Sequence, residues 1–111
     1  MKEKLDIFEA SNFINNNERK LIEKWQNKLS MYDKEALNVC LTHLVMVINR
    51  YHNNEDVDDL NEDIFNEVKN SDNYQEALKI VEAMKEDFTI NAKEEKFMLL
   101  HLCNLLTKEG D

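Results

Sequence analysis

Apolar positions recur along this chain at spacings of three and four residues, the period of one helix face. The stretch 2–13, KEKLDIFEASNF, places Leu5, Ile7 and Phe8 near one face of a short helix, which the polar run at 15–17 breaks. A second helix is expected over 18–30, with Leu21, Ile22, Trp25 and Leu29 at helical spacing. Asp33 has the character of an N-cap for a third over 34–52, and HNNEDVDD (52–59) follows as a loop. Asp59 with Glu62 three residues on reads as a capping box for a helix over 60–70, with Leu60, Ile64, Phe65 and Val68 as its stripe. Ser71 is expected to cap a helix over 72–88 that turns Tyr74, Ala77, Leu78, Val81 and Met84 inward. Asn91 followed by Glu94 is a second capping-box pattern. It opens a last helix over 92–108, with Phe97, Met98, Leu100 and Leu105 inward. The pattern predicts an all-α protein, a compact bundle of five to six helices. No linker is long enough to split it, so residues 1–111 read as one domain.

Two stretches, 37–48 and 97–106, are apolar nearly all round, as in helices buried on several sides, and one of their faces is a candidate subunit interface. Each holds a histidine with a charged companion seven residues away: His43 and Arg50 in one, Glu94 and His101 in the other. Seven residues advance a helix by nearly two turns, so each pair shares a face. Val39, Cys40, Met46 and Val47 stand beside His43, and Phe97, Met98, Asn104 and Leu105 beside His101. In an antiparallel pairing, residues whose numbers add to the same total lie opposite one another. His43 with His101 and Arg50 with Glu94 give the same total, so one register sets ring beside ring and charge beside opposite charge. The plainer readings are a satisfied core histidine, a capping glutamate, and an arginine facing the helix dipole.

One glycine (Gly110) and no proline leave few turn-forming residues, which strengthens the helical reading. The net charge is −9, and the densest charged run, EDVDDLNED (55–63), is acidic. A nucleic-acid binder needs a basic stripe to neutralise phosphates, and none is present, so no direct nucleic-acid partner is expected. There is no apolar span of about 20 residues and no signal-peptide pattern, which predicts a cytoplasmic protein without a membrane partner. Cys40 and Cys103 lie in apolar runs and read as buried free thiols. A metal site from Cys40, His43, His101 and Cys103 lacks any ligand-type spacing, so no metal or other cofactor is expected. Ser11, Ser30 and Ser71 lie near predicted helix ends, without a nucleophile elbow, which argues against hydrolase chemistry. His52, at a helix end beside a polar loop, reads as a surface residue.

The order and spacing of these motifs resemble the PTS-regulation domain (PRD) of bacterial transcription antiterminators and activators controlled by the sugar phosphotransferase system. That family shows Asp-His-apolar with an arginine seven residues after the histidine, and THLVMVINR supplies His43 and Arg50. An asparagine-led helix follows, as in NEDIFNEVK (61–69), then an aromatic three residues before an alanine, as Tyr74 and Ala77. Last comes a glutamate with an aromatic three and a histidine seven residues on, which EEKFMLLHL gives as Glu94, Phe97 and His101. The resemblance spans about 18–108 and is strongest over 30–108. Thr42 stands where the family commonly has aspartate, and the loop after Arg50 is longer.

The resemblance implies a PRD-like helical fold, a likeness to homodimeric regulators, and no enzymatic activity. It implies that His43 and His101 accept phosphoryl groups from the phosphocarrier HPr or an enzyme IIB component, with Arg50 and Glu94 supporting the site. The length leaves room for one such domain and nothing else. Any output in transcription regulation is therefore expected through its own oligomer or a separate regulator protein. The second reading is a PRD-like interaction subunit whose histidines are no longer phosphorylated, which Thr42 favours.

Overall fold

Short polar side chains decide where most of the helices start. The computed structural model describes residues 1–107. Among the described residues, six α-helices follow one another: α1 (Lys2–Ala10), α2 (Asn16–Lys28), α3 (Lys34–His52), α4 (Glu62–Lys69), α5 (Tyr74–Met84) and α6 (Ala92–Leu106). The first turn of a helix has amide groups with no partner inside the helix, and a side-chain oxygen just before it can accept from them. Asn15 accepts from Glu18 N and the Glu18 carboxylate accepts from Asn15 N, both at 2.8 Å, closing a capping box on α2. Asp33 caps α3 by accepting from Ala36 N at 2.9 Å. Asn61 accepts from Asp63 N and Ile64 N to open α4, and Asn91 accepts from Glu94 N to open α6.

The all-α class and the helix count agree with the sequence pattern, and α3 has the bounds expected of it. Several details differ. The polar run after α1 does more than end that helix, because Asn15 caps α2. Asp59 caps nothing. Asn61, two residues later, reaches two α4 amides, while Asp59 faces Lys96 and Leu60 stays outside the helix. Ser71 does not cap α5 directly; its hydroxyl accepts from Asn73 N, just before the first helical residue, and α5 closes at Met84. Ile7 is largely exposed, at 62%, and Ile64 is 42% exposed, so neither belongs to an inward stripe. Glu94 completes only half of its capping box, because its carboxylate is engaged elsewhere. The expected extension of the last helix to 108 lies outside the described residues.

The interior is built around α3 and α6. Leu41, Leu44 and Val45 from α3 meet Met98, Leu102 and Leu105 from α6, all fully buried, with Val81 and Met84 of α5 against them. α2 closes one side through Ile22 and Trp25. The Trp25 indole N–H donates to Asp87 at 2.9 Å, Lys24 pairs with the same carboxylate, and the Lys28 ammonium lies 4.7 Å above the ring. α1 is held by Leu5 in the core and by Arg19 of α2, which pairs with Asp6 and Glu9. No helix among the described residues is long and apolar enough to cross a membrane.

This division between core and rim has a measurable consequence. Leu102→Ala deletes a fully buried side chain and lowers stability by about 2–5 kcal/mol. Ile7→Ala, at an exposed site, changes it by less than about 0.5 kcal/mol. Urea denaturation of both variants checks the contrast; equal losses would mean that α1 turns its other face to the core.

Candidate functional site

α3 and α6 lie antiparallel, and their heptad-spaced residues meet. The His43 and His101 rings are 4.4 Å apart between centroids with their planes tilted by 43°. Phe97, one turn before His101, lies 5.9 Å from His43. Two turns along, Arg50 Nε donates to Glu94 Oε2 at 2.7 Å and Arg50 Nη2 to Glu94 Oε1 at 2.8 Å. The fork of the guanidinium thus matches both carboxylate oxygens. The four residues marked by sequence spacing therefore stand as two neighbouring pairs on one helix–helix seam.

The ion pair is lopsided. The Glu94 side chain is only 4% exposed and Arg50 21%. A carboxylate taken so far out of water needs a matched cation, and Arg50 supplies it while also filling both oxygens with donors. The same hydrogen bonds raise the Arg50 pKa above its already high ordinary value. Arg50 and Glu94 both line a depression of about 380 Å³, shared with Val47, Tyr51, Glu55 and Asn91.

The rings are half-buried and differ at the atomic level. His43 Nε2 is buried with no hydrogen-bond partner, as is the Thr42 hydroxyl next to it in sequence. His101 instead lines a surface depression of about 290 Å³ with Ala36, Val39 and Asn104. Burial, with smaller contributions from His101 and Arg50, pushes the His43 pKa from 6.5 down to about 4. Burial lowers that of His101 as well. Both imidazoles are thus neutral near pH 7, with a ring lone pair available for nucleophilic attack.

Sequence spacing placed Val39 beside His43, but its side chain is largely exposed and forms part of the wall around His101. Ala36 shares that wall and was missed, although it stands seven residues before His43 and so on the same face. His52 is partly exposed at the end of α3, apart from the ring pair, and its Nε2 contacts Glu18 Oε2 at 2.6 Å. No local spacing could signal that contact between residues 34 positions apart. Cys40 and Cys103 are both buried and free, and burial pushes the Cys40 thiol up to about 12. Among the described residues, no group of three or more His, Cys, Asp or Glu side chains is placed to hold a metal ion.

Comparison with protein families matches residues 19–105 to the PRD domain. The chain belongs to the PRD family, a family of regulatory domains rather than enzymes, governed in general by the phosphotransferase system. Comparison with curated proteins and with solved structures found no match.

Two measurements probe this geometry. Arg50→Met strands a buried carboxylate and lowers stability by about 3–5 kcal/mol, whereas adding Glu94→Leu restores much of the loss. Urea titrations of the single and double variants check this; additive losses would mean that the two charges do not depend on each other. The second concerns pH. A histidine with a folded-state pKa below its unfolded value binds fewer protons when folded, so stability falls as pH drops from 6.5 toward 4. His43→Leu is expected to flatten the decline in urea midpoint between pH 7 and pH 5. An unchanged slope would mean that His43 titrates normally.

Proposed function

We propose that this domain reports the activity of the sugar phosphotransferase system by accepting a phosphoryl group on the His43–His101 pair. The observation that carries the reading is the contact of two neutral, half-buried imidazoles on a seam that also holds Arg50 and Glu94. HPr or an enzyme IIB component, in the cytoplasm, is the proposed donor. The acceptor nitrogen attacks the phosphorus of the donor's phosphohistidine, a new N–P bond forms, and the donor's N–P bond breaks. The donor nitrogen keeps that electron pair. The product brings roughly two negative charges to a largely apolar seam. Such a charge competes with Glu94 for Arg50, and it biases an interface with two arrangements. The output runs through a homodimer or a separate regulator protein, and no direct nucleic-acid contact is involved.

A second reading has one observation in its favour. Thr42 occupies the position where the family pattern commonly has aspartate, and its hydroxyl is buried without a partner. A threonine cannot act as a charged orienting group for His43, which suits a constitutive interaction subunit that is never phosphorylated.

Intact mass after incubation with phosphoenolpyruvate, enzyme I and HPr separates the readings. The first expects a gain of one phosphoryl group, retained in His52→Ala and lost in the double variant His43→Ala with His101→Ala. No gain with HPr, or with an enzyme IIB donor in its place, would leave the interaction subunit. Light scattering at micromolar concentration is expected to show a dimer; a lone 13.2 kDa species would count against the homodimer.

A further inference from the structure

The chain between α3 and α4 is tied to the rest of the protein largely by charge. Asn54 turns it away from the end of α3 in the left-handed region (φ 54°), a conformation that asparagine adopts more readily than most residues. Glu55 N then donates to Arg50 O at 2.9 Å. At the far end Leu60 is buried and Asn61 caps α4. Between these anchors, residues 56–60 make no backbone–backbone hydrogen bond among the described residues. Val57 is half-buried. Two ion contacts at matched spacing join this strap to α6: Asp56 with Lys93 at 3.2 Å and Asp59 with Lys96 at 3.5 Å. Residues three apart on a helix are neighbours on one face, so Lys93 and Lys96 present a short positive row to the strap. The four side chains are between 34% and 68% exposed, so each contact is weak and sensitive to salt. Lys96 also has a second partner, the Phe65 ring 5.2 Å from its ammonium, which it keeps when Asp59 leaves.

The strap shares a boundary with the α3–α6 ion pair. Asn54, Glu55 and Asp56 line the same depression as Arg50 and Glu94. The Arg50 pKa, raised chiefly by its hydrogen bonds to Glu94, is raised further by the charge of Glu55. Arg50 is the one cation among the residues lining that depression, and the strap sets two more carboxylates beside it.

We infer that residues 54–59 form an electrostatically latched strap, and that its release from Lys93 and Lys96 opens the Arg50–Glu94 depression to solvent and withdraws Glu55 and Asp56 from it. Latched, the strap surrounds Arg50 with negative charge and disfavours the approach of any further anion. Released, it leaves Glu94 as the carboxylate that faces the guanidinium. The latch is a property of the loop and of the first turns of α6. It does not rest on phosphorylation of either ring, and it stands or falls separately from the proposed function.

Heteronuclear NMR of the whole chain reads both parts of the inference. The backbone NOE at residues 56–59 reports the order of the strap, and exchange of the Arg50 Nε–H with water reports access to the depression. Lys93→Glu with Lys96→Glu reverses the positive row. Acidic side chains suit the N-terminal turns of a helix, so α6 keeps its start. This variant is expected to lose NOE intensity at 56–59 and to exchange the Arg50 Nε–H about fivefold faster, the scale set by two exposed ion pairs. Added negative charge by itself slows base-catalysed exchange, so an acceleration reports opening. Adding Asp56→Lys and Asp59→Lys restores opposite charges and is expected to return both readouts to the wild-type values. In the wild type, raising sodium chloride from about 0.05 M to about 1 M is expected to act in the same direction as the first variant. Unchanged NOE and exchange in Lys93→Glu with Lys96→Glu would show that Val57 and Leu60 hold the strap without the charges, and would overturn the inference. No recovery in the fourfold variant would overturn it equally, because a latch of ion pairs depends on complementary charge and not on which side carries which sign.

Discussion

The Arg50–Glu94 pair fixes how α3 lies on α6, and the rest of the site follows from that register. Apolar side chains alone define such a seam loosely, because leucine and valine tolerate a shifted neighbour. A bidentate pair with a nearly enclosed carboxylate does not. Sliding one helix by a single residue turns its side chains by about 100°, which would leave Glu94 buried without its cation. Because both helices carry their histidine at the same seven-residue offset from the charge, the register that satisfies Glu94 also sets His43 against His101.

Those features were legible in the sequence for the same reason. A repeated offset in two long apolar helices is a statement about geometry, and it needs no knowledge of the loops between them. The bounds of α3 were equally plain, since Asp33 is a strong cap before a long uninterrupted apolar run. What stayed hidden depends on competition between neighbours or on distant partners. Asp59 with Glu62 has the form of a capping box, yet Asn61 is better placed to reach two amides at once. α5 stops at Met84, short of the predicted 88; Phe88 is buried just beyond it, while Asp87 reaches Trp25. Ile7 fits a helix face by spacing, but α1 is short and commits Leu5 to the core, which leaves Ile7 outside.

Within the site, spacing could place the rings but not grade them. The difference between His43 and His101 arises from which ring nitrogen is enclosed and which ring meets the surface, and periodicity carries no such information. Thr42 is a related case. Its substitution for aspartate was visible, whereas the consequence, a hydroxyl buried with no partner, required the fold.

A regulatory domain has a second requirement, which is to hold two arrangements close in energy. The unphosphorylated site already leaves hydrogen-bonding capacity unused on α3 and keeps its one matched cation two turns away, engaged with Glu94. On the proposed function, a phosphoryl group on this seam competes with Glu94 for that cation. Any share of the guanidinium that such an anion gains is taken from a carboxylate that is almost fully buried. The gain at one end of the seam is thus set against a loss at the other. The coupling needs no chain of moving parts, since rings and ion pair lie on the same two helices and a change of register moves both together.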